Sequence, residues 1–369
     1  MRNAEGATMA RDITRVNEGT VSTTMGSGSP FGVHRVVEPK GVLPQPARRL
    51  DNDMDRFWDN EIMVDVDILN VDSASFTQIK GEAGGDPEKV KETILGIVTE
   101  RGKMQNPVTG SGGMFTGRVA KVGSALASRD LDPGDRIASL VSLSLTPLRI
   151  GEVLDVHMDT DQVEMRGRAI LFESGIYAKM PDDMPDKLAL AVLDVCGAPL
   201  QTERLVKPGD TVAILGATGK SGVLCAYVAR RVLGSGGTLI GLGHSPKNCE
   251  RLEALGICDA VARVDSSDAL ACYGELSRLT GGRLADVVIN CVNIQDAEMA
   301  CILMCRDGGT VYFFSMATSF TKAALGAEGV GRDVTMIIGN GYMRGHAEHA
   351  LSILRESKEI RELYESLYT

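Results

Sequence analysis

The segment Thr211-Val-Ala-Ile-Leu-Gly-Ala-Thr-Gly-Lys-Ser-Gly222 constrains the fold more than any other part of the chain. An apolar run, Val212 to Leu215, passes without a linker into Gly216, Gly219 and Gly222. A helical pattern then opens near Ser221 and continues through Val223, Leu224, Ala226, Tyr227 and Arg230. A strand that turns so abruptly into a helix needs glycine where the backbone bends tightly and where helix and strand touch. The helix start presents unpaired N–H groups and the positive end of its dipole, which suits a pyrophosphate. Alone, such glycines are a common surface turn; between a strand and a helix they predict dinucleotide binding. The residues expected around the nucleotide are Gly216, Ala217, Thr218, Gly219, Lys220, Ser221 and Gly222, with Cys291 from a later apolar run.

That context continues downstream. Gly237 to Gly243 reads as a second strand and Ala260 to Asp265 as a third. Ala285 to Val292 is the continuous apolar run expected of a parallel strand covered on both faces. Gly309 to Phe314 and Val334 to Ile338 complete the series, with helical stretches at Lys247 to Leu255, Ser267 to Leu279 and Asp296 to Cys305. This alternation predicts an α/β, doubly wound parallel sheet of Rossmann type, with its ligand where the strand order reverses.

An NAD-selective site carries Asp or Glu about 20 residues past the glycines, and no acid occurs between Gly236 and Cys249. The second strand instead ends in Gly243-His-Ser-Pro-Lys-Asn248, where His244, Ser245 and Lys247 would donate to a 2′-phosphate. Ser245 and Pro246 also fit the cap and first position of the next helix. The balance favours NADP over NAD.

A formal charge of −10 argues against nucleic acid or an anionic membrane as partner. No apolar stretch approaches the roughly 20 residues that span a bilayer, and the N-terminus has no secretory hydrophobic segment, so a cytoplasmic protein is expected. Residues 1–30, rich in Gly, Ser and Thr, read as a flexible tail. All eight cysteines lie at or after Cys196, mostly on apolar positions, and read as reduced core residues. Residues 31–195 look β-rich, with segments at Ile62 to Leu69, Phe115 to Val122, Arg136 to Val141 and Arg149 to Val156, the pattern of a partly open barrel. Leu188 to Cys196 reads as an apolar bridging helix, 196–344 as the nucleotide domain, and 345–369 as a terminal helix packed at the domain junction.

Gly117-Arg-Val-Ala-Lys-Val-Gly123, Pro133-Gly-Asp-Arg-Ile137, Val206-Lys-Pro-Gly-Asp-Thr211 and Ala285-Asp-Val-Val-Ile289 resemble the medium-chain dehydrogenase/reductase superfamily. That resemblance implies a GroES-like barrel before the nucleotide domain, a cleft between them, and homodimers or homotetramers. It also raises the question of zinc. In the zinc members, ligands stand at positions matching Asp72, the pair Gly113 and Met114, and Cys196; only Cys196 is a matching ligand type. No Cys precedes residue 196 to build a structural zinc lobe, so the resemblance implies a zinc-free member.

Gly32 to Ala47 and Arg101 to Met114 further resemble the family of 3,5-diaminohexanoate dehydrogenases of lysine fermentation. That resemblance implies a small diamino acid substrate, oxidative deamination at its C3, and hydride transfer to NADP or NAD. A base must first deprotonate the reacting ammonium, and water must then replace nitrogen. Asp72, at the abandoned ligand position, is the first candidate for that base; the alternative is an Asx-turn with Ser73 or Ala74. Asp194 and Cys196, at the end of the bridging helix, are candidates to line the cleft, although Asp194 fits equally well outside it. The loop Arg101 to Met114 offers Arg101, Lys103, Ser111, Gly112 and Gly113 to the substrate, or is a polar hairpin loop without that role. A zinc-free quinone or enoyl reductase and a non-catalytic nucleotide-binding protein remain as alternatives.

Overall fold

A computed structural model describes residues 23–339 and 341–368. The expected N-terminal tail lies outside the described residues over positions 1–22. The chain forms two compact units that divide between Lys179 and Met180, ahead of the 195/196 boundary expected from the sequence.

The first unit contains β1 (Thr23–Met25), β2 (Val36–Glu38), β3 (Arg49–Leu50), β4 (Arg56–Trp58), β5 (Glu61–Asn70), α1 (Ser73–Glu82), α2 (Pro87–Arg101), β6 (Met114–Val122), β7 (Arg136–Ser139), β8 (Leu148–His157), β9 (Gln162–Phe172) and β10 (Tyr177–Lys179). Its main sheet is antiparallel in the order β10-β7-β6-β5-β9-β8. Residues 23–25 are held, since β1 pairs parallel with β4. The β-rich expectation holds for the sheet, but it overlooked two helices. For α2 the signals are plain: Asp86 caps the first turn by accepting from Glu88 N, Pro87 follows at the first helical position, and Gly102 closes the helix at φ 67. Val90, Ile94 and Val98, one helical face, are buried in one apolar cluster with Ile62, Val64, Phe115 and Val163 of the sheet.

A buried ion pair fixes one end of that unit. Arg35 and Glu61 are both fully buried; Arg35 Nε donates to Glu61 Oε1 at 2.7 Å and Nη2 to Oε2 at 2.8 Å. The remaining guanidinium donors reach the carbonyls of Asp51, Asp53 and Arg56. Such a pair is tolerated in the interior because every charge-bearing atom is satisfied.

The second unit comprises α3 (Asp186–Leu193), α4 (Gly197–Leu205), β11 (Thr211–Leu215), α5 (Lys220–Leu233), β12 (Thr238–Gly243), α6 (Pro246–Ala254), β13 (Ala260–Arg263), α7 (Ala269–Thr280), β14 (Ala285–Asn290), α8 (Glu298–Met304), β15 (Cys305–Phe313), α9 (Phe320–Val330), β16 (Val334–Ile338), α10 (His346–Glu356) and α11 (Lys358–Tyr368). Its six strands run parallel in the order β13-β12-β11-β14-β15-β16. The order reverses between β11 and β14, and that is where this class of sheet opens its ligand crevice. The apolar bridging stretch is α3, which packs on α10 and α11 and so belongs to this unit. The single C-terminal helix expected from spacing is two helices, broken at Ser357. All eight cysteines are free thiols. Among the described residues no helix is long and apolar enough to cross a membrane.

Candidate functional site

The glycine-rich turn leaves the carboxyl end of β11 at the reversal point. Gly216 has φ 82, a conformation that favours glycine, and its N–H and that of Ala217 both donate to Leu242 O, at 2.9 and 3.0 Å. A Cβ on Gly222 would lie 2.1 Å from Gly216 O and 2.7 Å from Ala217 Cα, so turn and helix touch there through backbone alone. Gly219 differs: a Cβ on it would meet only Gly216 O, at 3.5 Å. Its open side therefore lies next to the first N–H groups of α5, and Gly219, as the cap residue, supplies no side chain to satisfy them. Close packing at Gly222 and open space at Gly219 fit the pyrophosphate of a dinucleotide.

The neighbours of that turn are set by the same unit. Thr218 lies over Gly243, whose Cβ position is 2.6 Å from Thr218 Cγ2. Cys291 N donates to Leu215 O at 2.8 Å, and its backbone carbonyl carbon is 3.0 Å from the Cβ position of Gly216. Cys291 Sγ is 4.0 Å from Cys225 Sγ; burial pushes the Cys225 thiol well above its ordinary range. Tyr364 in α11 donates its hydroxyl to Lys220 O, which ties the C-terminal helix to the first turn of α5. The Lys220 ammonium is 3.0 Å from Asp194 Oδ2, so these two predicted residues form an ion pair. Cys196 is buried, and desolvation pushes its thiol up to about 12, leaving it neutral at physiological pH.

His244 and Lys247 are exposed beyond β12, and Ser245 caps α6 without a side-chain hydrogen bond. Sequence reasoning missed Arg263, whose Nε donates to His244 O at 3.0 Å. A signal for it existed, because Arg263 ends a parallel strand on the edge where ligands bind. The nearby acid Asp265 is turned onto Ser267, accepting from its N–H at 3.0 Å and its hydroxyl at 2.7 Å. Those hydrogen bonds hold its carboxyl below the ordinary range.

In the first unit, Asp72 caps α1, its Oδ1 accepting from Ser75 N at 3.0 Å. The cap reaches Ser75 rather than closing an Asx-turn at Ser73 or Ala74. Its other oxygen, Oδ2, is buried and has no hydrogen-bond partner among the described residues. A buried carboxylate oxygen left unpaired costs about 1–3 kcal/mol or more, and an ammonium would repay that cost.

The loop expected to hold substrate runs beside it. Gly113, at φ 92, has its Cβ position 2.1 Å from Asn70 O and 2.7 Å from Asp72 N. Gly112 is equally enclosed, 2.2 Å from Met104 O. Ser111 N donates to Thr109 Oγ1, which is 2.5 Å from Ser75 Oγ. Buried Asn106 knots the loop to α1 through Ser75 O and Gln78 Oε1. Asp72, Ser111, Gly112 and Gly113 are thus brought together. Lys103 turns elsewhere: fully buried, it donates to Pro44 O at 2.7 Å and Gln45 O at 3.1 Å, and desolvation lowers its ammonium to about 8. Arg101 ends α2 with its guanidinium 3.5 Å from Gln105 Oε1. Sequence reasoning missed Ser75, because a polar residue that ties a loop from below carries no pattern of its own, and Asn106, a substrate candidate by sequence, turns its amide onto α1.

At Gly113, one of the positions where the resemblance to the zinc members places a ligand, left-handed backbone and the adjacent Asn70 carbonyl leave no room for any side chain. Among the described residues no three His, Cys, Asp or Glu side chains converge as a metal site.

A crossover-linked parallel sheet with a glycine turn at its reversal point, preceded by an antiparallel unit, defines a doubly wound, Rossmann-type fold. The solved structures it resembles include the CurK enoyl reductase, with TM-score 0.51 and 18% identity over 80% of this chain and 79% of that one. A mycobacterial protein solved with NADPH has TM-score 0.51 and 16% identity over 80% of each chain. Residues 34–181 match the family model of the L-erythro-3,5-diaminohexanoate dehydrogenase N-terminal domain. The L-erythro-3,5-diaminohexanoate dehydrogenase of Acetoanaerobium sticklandii is 58% identical over 92% of this chain and 99% of that protein. The enzyme of that name from Fusobacterium nucleatum is 54% identical over 93% of this chain and 100% of its own length. The chain belongs to the L-erythro-3,5-diaminohexanoate dehydrogenase family, and it is an oxidoreductase.

Proposed function

We propose that this enzyme oxidatively deaminates (3S,5S)-3,5-diaminohexanoate at C3, yielding 5-amino-3-oxohexanoate and ammonia, with NADP preferred over NAD and no catalytic metal. The substrate assignment is carried by the near full-length likeness to dehydrogenases named for it. The geometry that best supports the chemistry is the orphaned Oδ2 of Asp72 beside the glycine loop.

When bound, a nicotinamide dinucleotide supplies an acceptor for the hydride from C3. The chain must do the rest. The reacting nitrogen arrives as an ammonium, and no hydride leaves its carbon until one proton has gone. Asp72 Oδ2 attracts that ammonium, accepts its proton, and is held still by the Ser75 N–H on Oδ1. Loss of hydride gives an iminium; water adds to its carbon, a proton returns to nitrogen, and ammonia leaves as the carbonyl forms. Overall, substrate ammonium, oxidised dinucleotide and water give ketone, ammonium ion, reduced dinucleotide and one proton. Ser111 and the loop backbone orient the substrate. The donor set supports metal-free catalysis, since Gly113 offers no ligand atom at a position where the resemblance to the zinc members places one.

Preference for NADP is supported by Arg263, Lys247, His244 and the uncommitted Ser245 hydroxyl around the end of β12, with Asp265 engaged by Ser267. A homodimer or homotetramer is supported by the edge strand β16, where Ile338 is 55% exposed, and by the exposed Leu325 of α9 at 62%. Light scattering would contradict it by returning a monomer mass. The function is tested by incubating the protein and either dinucleotide with a panel of diamino acids, quinones and enones. Ammonia release coupled to dinucleotide reduction only with 3,5-diaminohexanoate supports the assignment; turnover of quinones or enones instead would replace it with the reductase reading.

A further inference from the structure

The outward face of the antiparallel sheet carries an arrangement that the deamination does not use. Strand register sets Arg136 beside Arg118, Arg118 beside Asp65, Asp65 beside Arg168, and Arg168 beside Arg149. This is one row across β7, β6, β5, β9 and β8. Like charges directly opposite on neighbouring strands destabilise a sheet, and the row contains two such pairs in a chain whose formal charge is −10. An anion bound there would relieve that repulsion.

One end of the row opens into a cavity of about 350 Å³. Its lining is Gly151 and Gly167 with Arg149, Arg166 and Arg168, and with Val66 and the acids Asp65 and Asp67. Arg168 is engaged by Asp65 at 2.9 Å and Arg166 by Glu152 at 3.4 Å. Among the described residues the Arg149 guanidinium makes no hydrogen bond or ion pair. A free guanidinium is matched in shape and charge to a planar carboxylate or a phosphate oxygen pair.

We propose that this trough is a binding site for a small oxyanion-bearing molecule, a carboxylate or phosphate docked on Arg149 with Arg166 beside it. Calorimetric titration of the full chain with glutamate and, separately, with inorganic phosphate tests it. One saturable site per chain is expected for at least one probe, weakened at least tenfold in Arg149→Ala and in part restored in Arg149→Lys. Binding of glutamate alone would assign an amino acid ligand, and binding of phosphate alone a phosphorylated one. Arg149 is exposed, so both variants should melt with the parent and keep its dehydrogenase rate without added anion. No saturable binding of either probe, or equal affinity in Arg149→Ala, would overturn the assignment.

Discussion

Replacing Asp72 by asparagine separates the fold from the chemistry at one residue. Oδ1 caps α1 through Ser75 N, and asparagine caps a helix about as well as aspartate, so the cap survives within a few tenths of a kcal/mol. For a unit of this size that is a melting shift of less than about 2 °C. Oδ2 has no partner to lose. The catalytic loss should be large, because a positioned general base contributes about 10²–10⁴-fold, or about 3–5.5 kcal/mol of barrier at about 1.4 kcal/mol per decade. Asp72→Ala is the control: it removes base and cap together, which adds about 1 kcal/mol of destabilisation. Initial rates of dinucleotide reduction and ammonia release, with thermal melts of both variants, give the comparison. If Asp72→Asn keeps kcat/KM within threefold of the parent, Asp72 is only a helix cap and the proposed base lies elsewhere.

Two glycines of the nucleotide turn should respond oppositely. Gly219→Ala meets only Gly216 O at 3.5 Å and should melt with the parent while its dinucleotide Kd rises at least tenfold; Gly222→Ala drives a Cβ to 2.1 Å from that same oxygen and should destabilise the unit itself. Unchanged dinucleotide affinity in Gly219→Ala would rule out that open side as the phosphate seat. Arg263→Ala should cut the NADP-over-NAD ratio of kcat/KM at least tenfold, by loss of a cation next to His244. Burial pushes the Glu61 carboxyl up, but hydrogen bonds from Arg35 and His34 outweigh it and hold the group below its ordinary 4.5. Its stabilisation is therefore complete above about pH 4.5 and lost as pH falls through the lower folded value. Urea melts against pH should show that acid slope, and Glu61→Gln, which leaves Arg35 buried without its partner charge, should cost about 3–5 kcal/mol at neutral pH.

The second unit was legible because its signals are local and repeated. Each parallel strand, buried on both faces, is an apolar run, and five of the expected strands fall within a few residues of β11, β12, β13, β14 and β16. β15 starts earlier than expected, at Cys305, since Arg306-Asp-Gly-Gly309 gives no apolar pattern to read. The first unit was read less well. Antiparallel strands covered on one face alternate weakly, β9 went unnoticed, and α2 was overlooked despite its cap, proline and terminal glycine. At the site, sequence pointed to Asp72 and the glycine loop, whereas the partners that hold them are set by tertiary contact. Lys103 shows the limit most clearly: nothing in a cation on a polar loop reveals that two carbonyls some 60 residues earlier bury it.

The most direct measurement is the stoichiometry of one turnover series on protein dialysed against a strong chelator and assayed for residual metal. With NADP and (3S,5S)-3,5-diaminohexanoate, one ammonia and one 5-amino-3-oxohexanoate are expected per dinucleotide reduced, at the rate of undialysed enzyme. Activity that disappears with the metal and returns with added zinc, or dinucleotide reduction without ammonia, would contradict it.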